Sequence, residues 1–101
     1  MKHGLKDETL EQIIVQCSLN KEIENVILYG SRAIGNYKNG SDIDLTLFGN
    51  NLSLQDIFKL EENLETLNLP YKFDISIFGQ IENENLKKHI QDFGISIFSQ
   101  H

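Results

Sequence analysis

From Asp42 to Leu47 the chain alternates strictly between polar and aliphatic side chains, Asp-Ile-Asp-Leu-Thr-Leu. A β-strand, with its two-residue period, puts Ile43, Leu45 and Leu47 on one side of such a run and Asp42, Asp44 and Thr46 on the other. A sheet built around this strand must bury the aliphatic side and turn carboxylates out on the reverse. Tyr71 to Phe78 repeats the arrangement, with Tyr71, Phe73, Ile75 and Ile77 on one face and Lys72, Asp74 and Ser76 on the other. Asp42, Asp44 and Asp74 are therefore expected on one open sheet face.

The rest of the chain supplies the cover for the aliphatic face. Leu10, Ile13, Ile14 and Cys17 recur at helical spacing, and Thr9 with Gln12 has the form of a capping box, predicting a helix from Thr9 to about Leu19. Asn25 to Tyr29 is short, β-branched and aromatic and stops at Gly30, as a strand does. Ser31 to Ile34 reads as a helical turn and Gly35 to Gly40 as a loop. Ser53 and Asp56 open a helix that Asn68-Leu69-Pro70 ends, and a last helix runs from about Asn83 to Phe93, with Gly94 as its C-terminal stop. Ile95 to Phe98 reads as a short edge strand. The expected fold class is α+β, a small mixed β-sheet with helices packed on one face.

With 101 residues, the expectation is a single domain over positions 1–101. The formal charge of −6, from 15 acidic and 9 basic residues, argues against direct nucleic-acid binding through phosphate neutralisation. A single cysteine allows neither an intrachain disulfide nor a thiolate zinc cage, and Cys17 on the apolar stripe reads as a small core residue. No apolar run has the length of a signal peptide core or a membrane span, so no membrane association is expected and the chain reads as cytoplasmic. His3, His89 and His101 read as surface residues without a catalytic role.

Two carboxylates about 7 Å apart along one strand face repel each other unless a cation sits beside them. Mg²⁺ takes carboxylate, water and phosphate oxygens, so Asp42 and Asp44 have the form of a metal platform for a nucleoside triphosphate, completed by Asp74. Taken alone, the same spacing also fits the solvated face of a half-exposed sheet. Just upstream, Gly30-Ser31 at a strand end lets backbone N–H groups and a hydroxyl approach phosphate oxygens. Gly30 and Gly35 have P-loop spacing, but Asn36-Tyr37 stands where Lys-Ser/Thr is required. Leu47 likewise occupies the glycine position of an EF-hand loop.

Gly30-Ser31, ten intervening residues, Asp42-Ile43-Asp44-Leu45, and Phe73-Asp74-Ile75 downstream resemble the signature of the nucleotidyltransferase superfamily related to DNA polymerase beta. Gly30-Ser31-Arg32-Ala33 and Ser41-Asp42-Ile43-Asp44-Leu45 in so short a chain resemble the minimal nucleotidyltransferases, antitoxin-type proteins often encoded beside HEPN-domain proteins. The resemblance implies a nucleotidyltransferase-like fold and Mg²⁺-dependent transfer of AMP from ATP to a hydroxyl, by analogy a tyrosine of a HEPN toxin. It implies that Asp42, Asp44 and Asp74 are catalytic and hold two Mg²⁺ ions, and that Gly30, Ser31, Arg32 and Ser41 bind the nucleotide. Ile34 stands where many members carry a basic residue. The partners implied are ATP and a HEPN-domain protein, in a hetero-oligomer. A second reading is a non-catalytic antitoxin that neutralises its partner by direct binding; transfer to a small molecule is a third, for which the chain lacks an acceptor-shaping domain.

Overall fold

The computed structural model describes residues 1–100; His101 lies outside them. The elements are α1 (Asp7–Ser18), β1 (Asn25–Tyr29), α2 (Ser31–Ile34), β2 (Ile43–Phe48), α3 (Leu54–Glu65), β3 (Phe73–Ile77), α4 (Glu84–Phe93) and β4 (Ile95–Ser99), with a 3-10 turn at Phe78–Gln80. The four strands form one mixed sheet in the order β3-β2-β1-β4. β1 runs antiparallel to both β2 and β4, whereas β2 and β3 are parallel. A parallel pair needs a crossover, and α3 supplies it.

The alternation decides which face is buried. Val26 and Leu28 of β1 sit opposite Leu47 and Leu45 of β2, and Leu45 in turn opposite Ile75 of β3. These join Ile13 and Cys17 of α1 and Leu60 and Leu64 of α3 in one core. Burying each such aliphatic side chain stabilises by about 1.5–3 kcal/mol relative to exposure. α1 and α3 therefore pack on one face, as the sequence predicts. α4 does not join them: it packs on β1 from the reverse side, where Gly94 abuts Ile27 and the His89 ring meets Tyr29. The second face is thus covered at β1 and over Thr46 of β2, which is fully buried, and left open where Asp42 and Asp74 emerge.

The helix ends show which local signals decided. α3 has the expected capping box: Ser53 N–H donates to Asp56 Oδ2 at 2.7 Å, and Asn20 Nδ2 donates to the other oxygen at 2.8 Å. At α4 the Asn83 side chain accepts from the Asn85 and Leu86 amides. α1 instead starts two residues before the predicted Thr9, with Asp7 and Glu8 in its first turn, where the helix dipole favours negative charge. Thr9 is buried on the inner side of α1 and caps nothing. Gly94 follows α4 as predicted, but with φ −63° its use is spatial: a Cβ there would overlap Ile90 O and Ile27 Cγ2.

Candidate active site

The three aspartates are placed by the sheet. Asp44 and Asp74 are register partners across the parallel β2–β3 pair, so both side chains leave the same face from neighbouring strands. Asp42 lies one residue before β2, and the Ile43 amide donates to Lys72 O at 2.9 Å, which binds the two strand entrances together. Asp42 and Asp74 are exposed and Asp44 half-buried. Burial raises the Asp44 pKa above the ordinary carboxylate range, with the neighbouring charges of Asp74 and Asp42 adding to it; the Arg32 guanidinium acts the other way. Among the described residues no three acidic, histidine or cysteine side chains are already gathered around a common point for a metal. The three carboxylates form an open ledge, and the donor set, oxygen-only and mutually repelling, suits a hard divalent cation.

Gly30 closes the ledge on its β1 side. It has φ 77° and ψ −154°, a conformation that is essentially glycine-only, and a Cβ at this position would overlap Asp44 Oδ2. Its carbonyl accepts from the Ala33 and Ile34 amides at 3.1 and 3.2 Å, so the chain turns directly into α2. Ser31 therefore begins α2 directly after the glycine that packs on Asp44. The sequence-distant elements Gly30-Ser31, Asp44 and Asp74 are brought to one place by strand pairing alone.

The family model for polymerase beta nucleotidyltransferases matches residues 11–101. The chain belongs to this nucleotidyltransferase family. A crystal structure of the toxin-antitoxin MntA-HepT superposes on this chain with a TM-score of 0.69 at 15% identity, covering 94% of this chain and 74% of that one. A crystal structure of the toxin-antitoxin with AMP-PNP gives 0.68 at 18% identity, over 91% and 74% of the two chains. A third, of a tri-AMPylated Shewanella oneidensis HEPN toxin in complex with MNT antitoxin, gives 0.64 at 14% identity, over 95% and 74%. At these identities the likeness is one of fold. No curated protein sequence matches the chain.

Two residues that the resemblance assigns to the nucleotide, Arg32 and Ser41, make contacts within the chain. Arg32 is 2% exposed, and its Nε and Nη2 donate to Ser41 O at 3.1 and 2.8 Å while Nη1 donates to His3 O at 3.0 Å. Its guanidinium lies 4.8 Å from the Tyr71 ring centroid and 5.4 Å from that of Tyr37. Three of its five N–H donors are thereby engaged on backbone carbonyls. Ser41 is committed to the same loop, since its Oγ accepts from the Lys38 amide at 2.8 Å. Both hold the loop that delivers the chain into Asp42. A buried arginine with aromatic neighbours far along the sequence leaves no local pattern, which is why spacing alone did not reveal this.

The sequence also hides a contact to this corner from α4. His89, half-buried, accepts the Gly30 N–H on Nε2 at 3.0 Å. Its setting after Lys87-Lys88 gives a solvated appearance, and the only available signal was the three-residue step from Leu86, which puts it on the helix side that faces the sheet. A hollow of about 630 Å³ elsewhere, between α3 and the entrance to β3, holds none of the three aspartates.

Proposed function

We propose that this protein transfers AMP from ATP to a hydroxyl on a HEPN-domain partner, a tyrosine, and thereby neutralises that partner as an antitoxin. The observation that carries the reading is the register pairing of Asp44 with Asp74, with Gly30 packed on Asp44 and Ser31 directly after it. Fold neighbours include a toxin-antitoxin with AMP-PNP and an antitoxin in complex with an AMPylated HEPN toxin, which supports the choice of nucleotide and partner. The absence of a side chain on Gly30 lets the Asp44 carboxylate close against the corner, and the Ser31 hydroxyl directly after it is a donor for a phosphate oxygen. Asp42, Asp44 and Asp74 would hold one or two Mg²⁺ ions. Bound there, Mg²⁺ would supply neutralisation of the triphosphate charge and a lower pKa for the acceptor hydroxyl. Asp74, exposed on the edge strand, takes the acceptor proton; the new O–P bond forms at the α-phosphorus as the bond to the β-phosphate bridge breaks and pyrophosphate leaves.

The test is protection from the cognate HEPN protein in cells at matched antitoxin levels. Asp74→Asn keeps the shape of the surface and removes the proton acceptor, so protection is expected to be lost. Full protection by Asp74→Asn would replace the enzymatic account with neutralisation by binding alone.

A further inference from the structure

α4 carries none of the motif residues Gly30, Ser31, Asp42, Asp44 and Asp74, yet it reaches the Gly30 corner through one side chain. The His89 ring is held edge-on to Tyr29, centroids 6.2 Å apart at 74°, and tilted against Phe93 at 5.6 Å. From that pose Nε2 accepts the Gly30 N–H at 3.0 Å. Both polar groups of the Gly30 backbone are therefore engaged, the N–H by α4 and the C=O by α2. A glycine in a sparsely populated conformation stays there only where its surroundings over-determine it. Without an acceptor, this part-buried N–H would be left unpaired and the constraint released.

Resting on the nucleotide-transfer reading above, we propose that His89 is a positioning residue of the nucleotide site: its acceptor nitrogen fixes the Gly30 corner so that Ser31 meets a phosphate and Gly30 stays against Asp44. The role defines the chemistry of the ring. Accepting on Nε2 requires the neutral form with its proton on Nδ1, so His89 acts through the backbone and does not itself touch the substrate. The aromatic contacts hold the ring in place independently of the hydrogen bond, which allows packing and acceptance to be separated by substitution.

His89→Leu keeps an apolar side chain against Tyr29 and Phe93 and removes the acceptor, whereas His89→Gln offers an amide oxygen at about the reach of Nε2. Two quantities are measured on the full chain: hydrogen exchange of the Gly30 amide without ligand, and affinity for AMP-PNP with Mg²⁺. In His89→Leu we expect Gly30 exchange faster by about tenfold or more and affinity lower by about tenfold, one hydrogen bond's worth. His89→Gln is expected to restore both to within about threefold. Unchanged exchange and affinity in His89→Leu, or no recovery in His89→Gln, overturns the positioning role. If the natural protein itself fails to bind AMP-PNP with Mg²⁺, the nucleotide reading falls and the positioning role with it; binding by the natural protein that is unaltered in His89→Leu removes His89 alone.

Discussion

Asp44 and Asp74 face each other across the only parallel strand pair of the described sheet, and burial, with its acidic neighbours, pushes the Asp44 carboxyl upward. The raised value means that, in the metal-free protein, the folded state holds a proton on Asp44 over a pH window where the unfolded chain has lost it. Metal-free stability from this group is therefore present at low pH and lost as pH rises through the folded value. A bound divalent cation reverses the balance. Thermal denaturation should show a larger Mg²⁺-induced rise in Tm near pH 7 than near pH 5, and Asp44→Asn should abolish that difference while leaving metal-free stability equal or higher. A Mg²⁺ response in Asp44→Asn equal to that of the natural protein would contradict the assignment.

Asp56 carries the opposite sign. Its carboxyl is held below the ordinary range, first by the Asn20 amide and then by the Ser53 N–H. The stability it contributes is present above the ordinary carboxyl pKa and lost as pH falls through the folded value. Asp56→Ala removes the capping box and the link from Asn20 to α3, and should cost about 1–2 kcal/mol in urea denaturation near neutral pH, less in acid. AMP-PNP affinity should be unaffected, because neither partner belongs to the aspartate ledge.

Substituting Gly30 tests the corner directly. Gly30→Ala must accommodate a Cβ where Asp44 Oδ2 lies and adopt a backbone conformation disfavoured for alanine, at a cost of about 1–3 kcal/mol. Displacement of Asp44 should weaken Mg²⁺-dependent nucleotide binding by more than the stability loss explains. A folded Gly30→Ala that binds nucleotide normally would show that the close packing on Asp44 has no role.

Arg32→Lys preserves charge but not the fork that grips Ser41 O while reaching His3 O. With a buried ammonium unable to satisfy both carbonyls, stability should fall by about 2–4 kcal/mol, measured by chemical denaturation. A change within about 0.5 kcal/mol, together with a large loss of nucleotide affinity, would return Arg32 to a phosphate-binding role.

The strands and the aspartate face were legible because both rest on a two-residue period and on turn residues, signals local to the sequence. Ile43, Leu45 and Leu47 could not be buried without turning Asp44 outward. The start of α1 was misplaced because Thr9 satisfies a capping pattern that burial of its side chain overrides. The contacts that Arg32, Ser41 and His89 make are not legible in the sequence, for a common reason. Their hydrogen-bond acceptors and donors, Ser41 O, His3 O and the Gly30 N–H, are backbone groups that any sequence possesses, and only tertiary placement says which side chain meets them. For Gly94 the position was legible, but its cause, the approach of Ile27, lies on a strand 67 positions earlier.

The central claim is transfer, and intact-mass measurement of the cognate HEPN protein after incubation with this chain, ATP and Mg²⁺ tests it most directly. The account predicts that the HEPN protein gains the mass of one or more AMP groups on tyrosine with the natural sequence, and gains none with Asp74→Asn. A stable complex that protects the cell while the partner's mass stays unchanged would contradict it.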